Sequence, residues 1–132
     1  MVTGTVLLII LRLNNFGASY AKGEYLLLLN NDTEVINEDW LEELLGYCMR
    51  PDVGIVGARL YYEDDTVQHA GVVLGFGGIA GHCFVQQPRG NTGYCHRIIC
   101  AQNYSAVTAA CMMVKKKPLI RWGIKYRPCR CF

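Results

Sequence analysis

Three polar side chains follow a run of apolar residues, and they are the first candidates for chemistry in this sequence. The apolar run is Tyr25–Leu29, and Asn30, Asn31 and Asp32 come directly after it. Such a run is typical of a strand that is buried on both faces of a sheet, although a buried helix segment is an alternative. Ligands of open α/β sheets bind beyond the carboxyl ends of the strands. The sequence therefore predicts that a carboxylate and two amides lie at a ligand site, unless Asp32 only closes an Asx turn.

The composition is that of one domain with a modest core. The chain has 132 residues, of which 52% are hydrophobic and 18% are charged. The formal net charge is +2, but all 11 acidic residues lie between Glu24 and Asp65, and nine of the 13 basic residues follow Asp65. A basic carboxyl-terminal segment of this kind is able to contact a membrane surface or nucleic acid.

The cysteines and the amino-terminal residues bear on the compartment. The chain has seven cysteines. Its apolar run at 6–11 lacks the preceding basic region and the small-residue cleavage site of a signal peptide, and it is too short to span a bilayer. We therefore predict a cytoplasmic protein with reduced thiols. A small zinc module built on the cysteines and histidines is a competing class, but their spacing does not fit the known zinc templates.

Strand and helix signals alternate in the first half of the chain, which predicts an α/β domain. Asn14 or Asn15 is the predicted cap of the first helix, and Asn37 is the predicted cap of the second. The second helix carries Trp40, Leu41, Leu44, Leu45 and Cys48 on one apolar face. The predicted elements are a strand at 6–11, a helix from 14 or 15 to about 21, a strand at 25–29, a helix at 38–49, a strand at 53–58, a turn at 61–66, and a loop that enters a buried strand within 104–114.

Several stretches, taken together and in order, resemble the middle of a bacterial family 2 glycosyltransferase of the rhamnosyltransferase-like and O-antigen-type branch. Residues 30–34 resemble the Asn-Asn-Asp-Thr-Glu form of that family's D-x-D motif, and further matching stretches are 23–29, 40–41, 53–58, 68–71, 80–82 and 103–108. The resemblance implies a GT-A-type (Rossmann-like) α/β fold, with a mostly parallel sheet and flanking helices, truncated at both ends. It divides the chain into an atypical segment at 1–13, a partial family domain at 14–117 and a non-family tail at 118–132.

The resemblance also implies a reaction and its site residues. Members of the family transfer a sugar from a nucleotide-diphosphate sugar to a hydroxyl acceptor, and a divalent cation with oxygen ligands neutralises the departing diphosphate. By position, Asp32 resembles the ligand of Mg²⁺ or Mn²⁺, and Asn30 and Asn31 resemble donor-binding residues. His69 and His82 match recurring positions of the branch, where a neutral imidazole is able to bind a sugar hydroxyl or a phosphate. A structural histidine beside a glycine-rich turn is the alternative for each.

Two departures from the family limit the activity that we expect of this chain. Nothing before Asn14 resembles the family's first nucleotide-binding units, and no carboxylate follows Asp65, so the general base is missing. We expect little or no transferase activity from the chain alone, and a non-catalytic nucleotide-sugar or carbohydrate-binding remnant is the alternative. The parent enzyme would act on a glycan or lipid-linked acceptor in cell-surface polysaccharide synthesis, and the resemblance implies peripheral association at the inner face of the membrane.

The basic tail has a simple explanation at the level of the gene. Residues 125–132 can be encoded by a DNA sequence that, read one base later, gives Asn-Ile-Asp-Leu-Ala-Val-Ala-Phe, which resembles the family sequence before its catalytic acid. We therefore hypothesise a frameshift after about Lys117. Because the basic composition of the tail would then be accidental, we predict no nucleic-acid partner.

Overall fold

The computed structural model describes residues 4–76 and 78–122, with side chains for 12–76 and 78–121. The hypothesised frameshifted residues from 123 onward lie outside this range. The elements, in chain order, are α1 (Gly4–Tyr20), β1 (Tyr25–Leu29), α2 (Trp40–Met49), β2 (Ile55–Gly57), β3 (Leu60–Tyr61), β4 (Val67–His69), β5 (Val72–Leu74), β6 (Ala80–His82), a short 3₁₀ segment (Tyr94–His96), β7 (Cys111–Lys115) and α3 (Lys116–Trp122).

The main sheet has three strands in the order β1-β7-β2, and β7 is antiparallel to both neighbours. Leu27 and Val56 both pair with Met113, so β1 and β2 run parallel to each other on either side of β7. Both strands therefore finish at the same end of the sheet, where β7 begins. The amide of Asn30 donates to the carbonyl of Ala110 (2.8 Å) at that end.

The prediction of a mostly parallel sheet is wrong for the described strands, because every pair of neighbouring strands is antiparallel. The apolar runs indicated which segments are buried, but burial carries no information about strand direction. The direction is set by β7, which returns along the sheet between two strands that come much earlier in the chain. The α/β class and the flanking helices are confirmed.

Helices cover both faces of β1, as the continuous apolar run predicted. On one face, Leu44 and Cys48 of α2 pack with Cys111 and Met113 of β7, and the side chain of Leu27 joins them. On the other face, the cluster consists of Ala18 from α1, Val114 from β7 and Leu119 from α3, with Leu26 and Leu28 packed against it. Full burial of a Leu, Met or Val side chain contributes roughly 1.5–3 kcal/mol, so the largest contributions in the two clusters come from Leu44, Met113, Val114 and Leu119.

Three predictions about the helices need correction. The run at 6–11 belongs to α1 and is not a strand, because nothing between Val6 and Phe16 interrupts a helix and leucine favours one. Asn14 and Asn15 consequently lie inside α1 rather than at its start. Helix α2 begins at Trp40 with Asp39 at the N-cap position, no side chain caps it, and only the main-chain carbonyl of Asn37 accepts from Trp40 N (3.4 Å).

Two short hairpins stand beside the sheet. The β3–β4 hairpin contains the predicted turn at 61–66, in which the Asp64 carboxylate accepts hydrogen bonds from the amide and the hydroxyl of Thr66 (3.0 and 2.6 Å). The β5–β6 hairpin is formed by the glycine-rich stretch, and Val72 of β5 pairs with His82 on one side and bridges to Ala106 on the other. This pairing brings residues 69, 82 and 104–108 into one region.

Two glycines allow close approach of the chain in that region. At Gly71, with φ +111°, an added Cβ would lie 2.4 Å from the ring of Tyr104. At Gly57, an added Cβ would lie 2.6 Å from Cβ of Val107. Any side chain at either position would displace the 104–108 segment.

Two helices cross the predicted domain boundaries: α1 spans the boundary at 13/14, and α3 spans the one at 117/118. The domain limits themselves stay a prediction. Within residues 4–76 and 78–122, no helix combines the length and the apolar character that a bilayer crossing needs.

Candidate functional site

An open cleft of about 1910 Å³ lies at the end of the sheet where β1 and β2 finish. It exceeds the roughly 300–1,000 Å³ of ordinary small-molecule pockets, so it has room for an extended ligand. Among the predicted site residues, the lining includes Asn30, Asp32, His69 and His82 but not Asn31. The structure thus brings four of the five predicted residues to one cavity.

Asp32 stands in a turn that is fixed on both sides of it. The Asn30 amide is held by β7, as described above, and the Thr33 hydroxyl donates to the Asn30 carbonyl. The carboxylate of Asp32 is exposed, and no hydrogen bond or ion pair to the described part of the chain occupies it. The turn therefore places a charged group at the cleft and leaves its oxygens available to a ligand.

The side chains around Asp32 fit a hard divalent cation. Asn30 and Glu34, close to Asp32 in the sequence, also line the cleft, so the available ligand atoms are carboxylate and amide oxygens. No cluster of three or more His, Cys, Asp or Glu side chains suited to a metal ion occurs among residues 4–76 and 78–122. An ion here would be held by few protein ligands together with phosphate oxygens and water, which is the usual arrangement for Mg²⁺.

The two histidines form a hydrogen-bonded pair. His69 is only 2% exposed, and its Nδ1 lies 2.9 Å from Nδ1 of His82. The main-chain N–H of Thr108 donates to the other ring nitrogen of His69, Nε2, at 3.3 Å. Burial, with a smaller contribution from His82, lowers the pKa of His69 from 6.5 to about 4. His69 is therefore neutral at physiological pH.

The sequence predicted that both histidines bind substrate, but the structure gives the two rings different surroundings. Both ring nitrogens of His69 are engaged within the protein, so His69 has no hydrogen-bonding atom left for a ligand. His82 is exposed and keeps its Nε2 without a partner among the described residues. Of the pair, only His82 is able to contact a ligand directly.

Sequence reasoning missed a basic group in the cleft. The guanidinium groups of Arg59 and Arg89 both lie over the ring of Tyr61, at 5.3 and 5.2 Å from its centroid. Arg89 also pairs with Asp65 (3.1 Å), and Arg59 donates to the carbonyl of Ile98 (3.0 Å). The two arginines are 30 positions apart in the sequence, so no local motif could have indicated that they meet.

Tyr104 also lines the cleft, and its ring packs over Gly71. Its hydroxyl is buried and has no hydrogen-bond partner among the described residues. Burial raises the pKa of this phenol, and the nearby Cys83 adds to the effect. The phenol is therefore a neutral polar group at neutral pH.

The fold and the site together define an α/β protein with an open cleft at the ends of two strands, and its lining includes carboxylate, amide and imidazole groups. Residues 13–121 match the model of glycosyl transferase family 2. The chain belongs to that family. This match confirms the predicted family, although it does not identify a branch of the family.

Two curated relatives extend the comparison. The chain is 50% identical over 105 residues to the uncharacterized protein y4gI of Sinorhizobium fredii, covering 80% of this chain and 12% of the relative. It is 45% identical over 107 residues to the O-antigen biosynthesis protein RfbC of Myxococcus xanthus, covering 80% of this chain and 8% of the relative. The chain thus spans about a tenth of the length of these relatives. No solved structure matches it.

Proposed function

We propose that this chain forms the donor-binding part of an enzyme that transfers a sugar from a nucleotide-diphosphate sugar to a hydroxyl group of a growing glycan. The family supports sugar transfer, and the O-antigen relative supports a role in cell-surface polysaccharide synthesis, with a glycan or lipid-linked acceptor. The rhamnosyltransferase-like branch is the part of the family that we favour. We assign the full reaction to a protein of the length of these relatives, of which the chain spans about a tenth.

The observation that carries the proposal is the position of Asp32. Its carboxylate is exposed at the cleft, directly after strand β1 of the main sheet, and the described chain leaves its oxygens unpaired. A nucleotide-sugar carries two phosphates that need neutralisation, and a carboxylate cannot neutralise them itself because it has the same sign of charge. The proposed role of Asp32 is therefore to hold Mg²⁺ or Mn²⁺, which would offset the charge of the departing diphosphate.

The other candidate residues have supporting parts in this proposal. Asn30 lines the cleft beside Asp32 and is able to bind the phosphates or the sugar of the nucleotide through its amide. Asn31 follows it, and its proposed contact with the donor would need a ligand that extends beyond the cleft lining. His82 would donate a hydrogen bond to the nucleotide sugar, and His69 would hold His82 in position.

The proposal is tested by titrating the chain with UDP-glucose and dTDP-glucose in a calorimeter, with Mg²⁺, with Mn²⁺ and with EDTA. We expect binding of at least one nucleotide sugar that depends on the divalent cation. Binding that is equally strong in EDTA would contradict the assigned role of Asp32. If neither donor binds under any of these conditions, the proposed function is wrong.

A second measurement separates an enzyme from a binding module. Release of UDP from UDP-glucose is followed over hours with the bound chain. Binding without turnover favours the non-catalytic binding remnant for this chain alone, whereas cation-dependent hydrolysis favours a site that retains catalytic groups.

A further inference from the structure

The hydrogen bonds of the histidine pair fix the position of each proton. A main-chain N–H can only donate, so the bond from Thr108 makes Nε2 of His69 an acceptor that carries no proton. A neutral imidazole has one N–H, and in His69 that proton must then be on Nδ1. The contact of 2.9 Å between the two Nδ1 atoms is therefore a bond in which His69 donates and His82 accepts.

The same logic fixes the state of His82. Because its Nδ1 accepts the proton of His69, the single proton of neutral His82 lies on Nε2. This nitrogen has no partner in the part of the chain that the structure describes, and His82 is an exposed residue of the cleft lining. The result is one N–H group of defined position that is available to a ligand.

The supporting residues are held more firmly than a surface histidine would be. His69 is almost completely buried, and the ring of His82 meets it edge-on at 78°. Thr108 is fixed in turn, since its hydroxyl accepts from the amide of Ala110 (3.3 Å), two residues further along the chain. His82 itself lies in β6, paired with Val72 of β5.

We propose that His69 is a positioning residue which holds His82 as a neutral Nε2–H donor for an oxygen atom of the bound nucleotide sugar. This inference rests on the proposed function for the identity of the ligand. A phosphate oxygen and a sugar hydroxyl both accept such a bond, so the recognised chemistry is an oxygen acceptor close to the diphosphate. An unsupported surface histidine would exchange between two tautomers, and only one of them presents this proton.

The tautomers can be tested without any ligand. Long-range ¹⁵N–¹H NMR correlations on the full chain at pH 7.5 distinguish a protonated from an unprotonated ring nitrogen. We expect opposite tautomers in the two rings, with the proton on Nδ1 in His69 and on Nε2 in His82. A proton on Nδ1 of His82 would overturn the proposal, because the donor available to the ligand would then be absent.

A double-mutant cycle tests whether His69 acts through His82. Binding of UDP and of UDP-glucose, each with Mg²⁺, is compared for His69→Leu, His82→Ala, the double variant and His69→Gln. We expect His82→Ala and His69→Leu each to weaken binding about 3- to 10-fold, as for the loss of one hydrogen bond. The double variant should bind as His82→Ala does, since residues that act as one unit are not additive.

The variant His69→Gln is the matched control. A glutamine amide offers one donor and one acceptor, so it is able to replace both bonds of His69, and we expect binding within about 2-fold of the wild type. The proposal is overturned if His69→Leu weakens binding as much in the His82→Ala background as in the wild type. If His69→Leu does not fold, the tautomers and the comparison of His69→Gln with His82→Ala decide the question.

The two probes separate the possible acceptor atoms. Weakening with both UDP and UDP-glucose assigns the bond to an oxygen of the UDP part, and weakening with UDP-glucose alone assigns it to the glucose. No change with either probe, while the wild type still binds, overturns the proposal. If the wild type binds neither probe, the proposed function fails and so does the ligand named here, whereas the NMR result still decides whether His69 fixes His82.

Discussion

Two parts of the cleft lining present their functional groups in different ways. The Asp32 turn (residues 30–33) places an exposed carboxylate by means of main-chain and hydroxyl hydrogen bonds. The histidine pair (His69 and His82) depends on a buried side chain and on the packing of three chain segments around it. A charge acts over distance and tolerates loose placement, whereas a hydrogen-bond donor must be aimed. We therefore expect substitutions at the Asp32 turn to affect binding alone, and substitutions around the histidine pair to affect folding as well.

The largest effect is expected where packing supports the histidine pair. Gly71→Ala puts a Cβ 2.4 Å from the ring of Tyr104 and also strains a residue with φ +111°. Overpacking costs about 1–3 kcal/mol and the backbone conformation about 1–2 kcal/mol, so we expect a loss of about 3–4 kcal/mol in the free energy of unfolding. Urea denaturation measures this loss.

Gly75 provides the control for that substitution. Its φ is +81°, but an added Cβ would meet no atom within 4 Å, so Gly75→Ala should lose only the 1–2 kcal/mol that the backbone strain costs. Equal losses at the two glycines would show that packing against Tyr104 contributes little, and the contrast between the Asp32 turn and the histidine pair would weaken.

The next effect concerns binding at the Asp32 turn. Asp32→Asn removes the charge that is proposed to hold the cation, and we expect UDP-glucose with Mg²⁺ to bind about 100-fold more weakly. Because Asp32 makes no contact that the fold needs, the free energy of unfolding should stay within about 0.5 kcal/mol of the wild type. Calorimetric titration and urea denaturation measure the two quantities.

Asp39 is a suitable comparison for Asp32. It is an exposed acid that lines the same cleft, and it makes no side-chain cap to α2. Asp39→Asn should leave cation-dependent binding within about 2-fold, because an exposed charge that does not hold the cation is largely screened by salt. If both substitutions weaken binding alike, the general charge of the cleft matters and Asp32 has no special part.

A smaller effect follows from the pKa of His69. The pKa is about 4 in the folded protein and about 6.5 when unfolded, so between these pH values the unfolded chain binds a proton that the folded protein excludes. Stability should therefore fall as the pH drops from about 6.5 to about 4, and this contribution should level off below. Converting the whole pKa shift to free energy gives about 3 kcal/mol. We expect a loss of about 2 kcal/mol in the free energy of unfolding, because the neighbouring His82 is open to solvent, which screens the effect.

The variant His69→Gln isolates this contribution, because glutamine does not titrate. Urea denaturation at a series of pH values measures the stability of both proteins. Between about pH 6.5 and about pH 4, the variant should lose about 2 kcal/mol less than the wild type, which is the contribution of His69. Identical pH dependence in the two proteins would mean that His69 accepts a proton in the folded state as easily as in the unfolded one.

The sequence predicted the parts of the fold that burial alone determines. Strand β1 is a continuous apolar run, and α2 has apolar residues at helical spacing, so both were recognised, and so was the buried strand β7. The direction of β7 was not predictable, because the same run of apolar residues fits either orientation. The run at 6–11 shows the same limit, since a short apolar segment fits a strand or a helix.

The candidate site was predictable where its residues are neighbours in the sequence. Asn30 and Asp32 follow a strand, and that position alone indicated a ligand site. The bond between His69 and His82 depends on the register of β5 with β6, and the stacking of Arg59 and Arg89 on Tyr61 depends on how distant loops pack. Neither register nor packing leaves a local signal, so the sequence indicated the histidines but not their separate parts.

The smallest predicted effect sharpens the description of the Asp32 turn itself. Asn30 and Asn31 are adjacent exposed amides, yet only Asn30 lines the cleft. We expect Asn30→Ala to weaken binding of UDP-glucose with Mg²⁺ about 3- to 10-fold, as for one lost hydrogen bond, and Asn31→Ala to change it less than about 2-fold. Since both side chains are exposed, neither variant should alter the unfolding midpoint. The reverse order in the calorimeter would mean that the donor lies across the outer side of the turn, and the cleft would then be the wrong place to look for it.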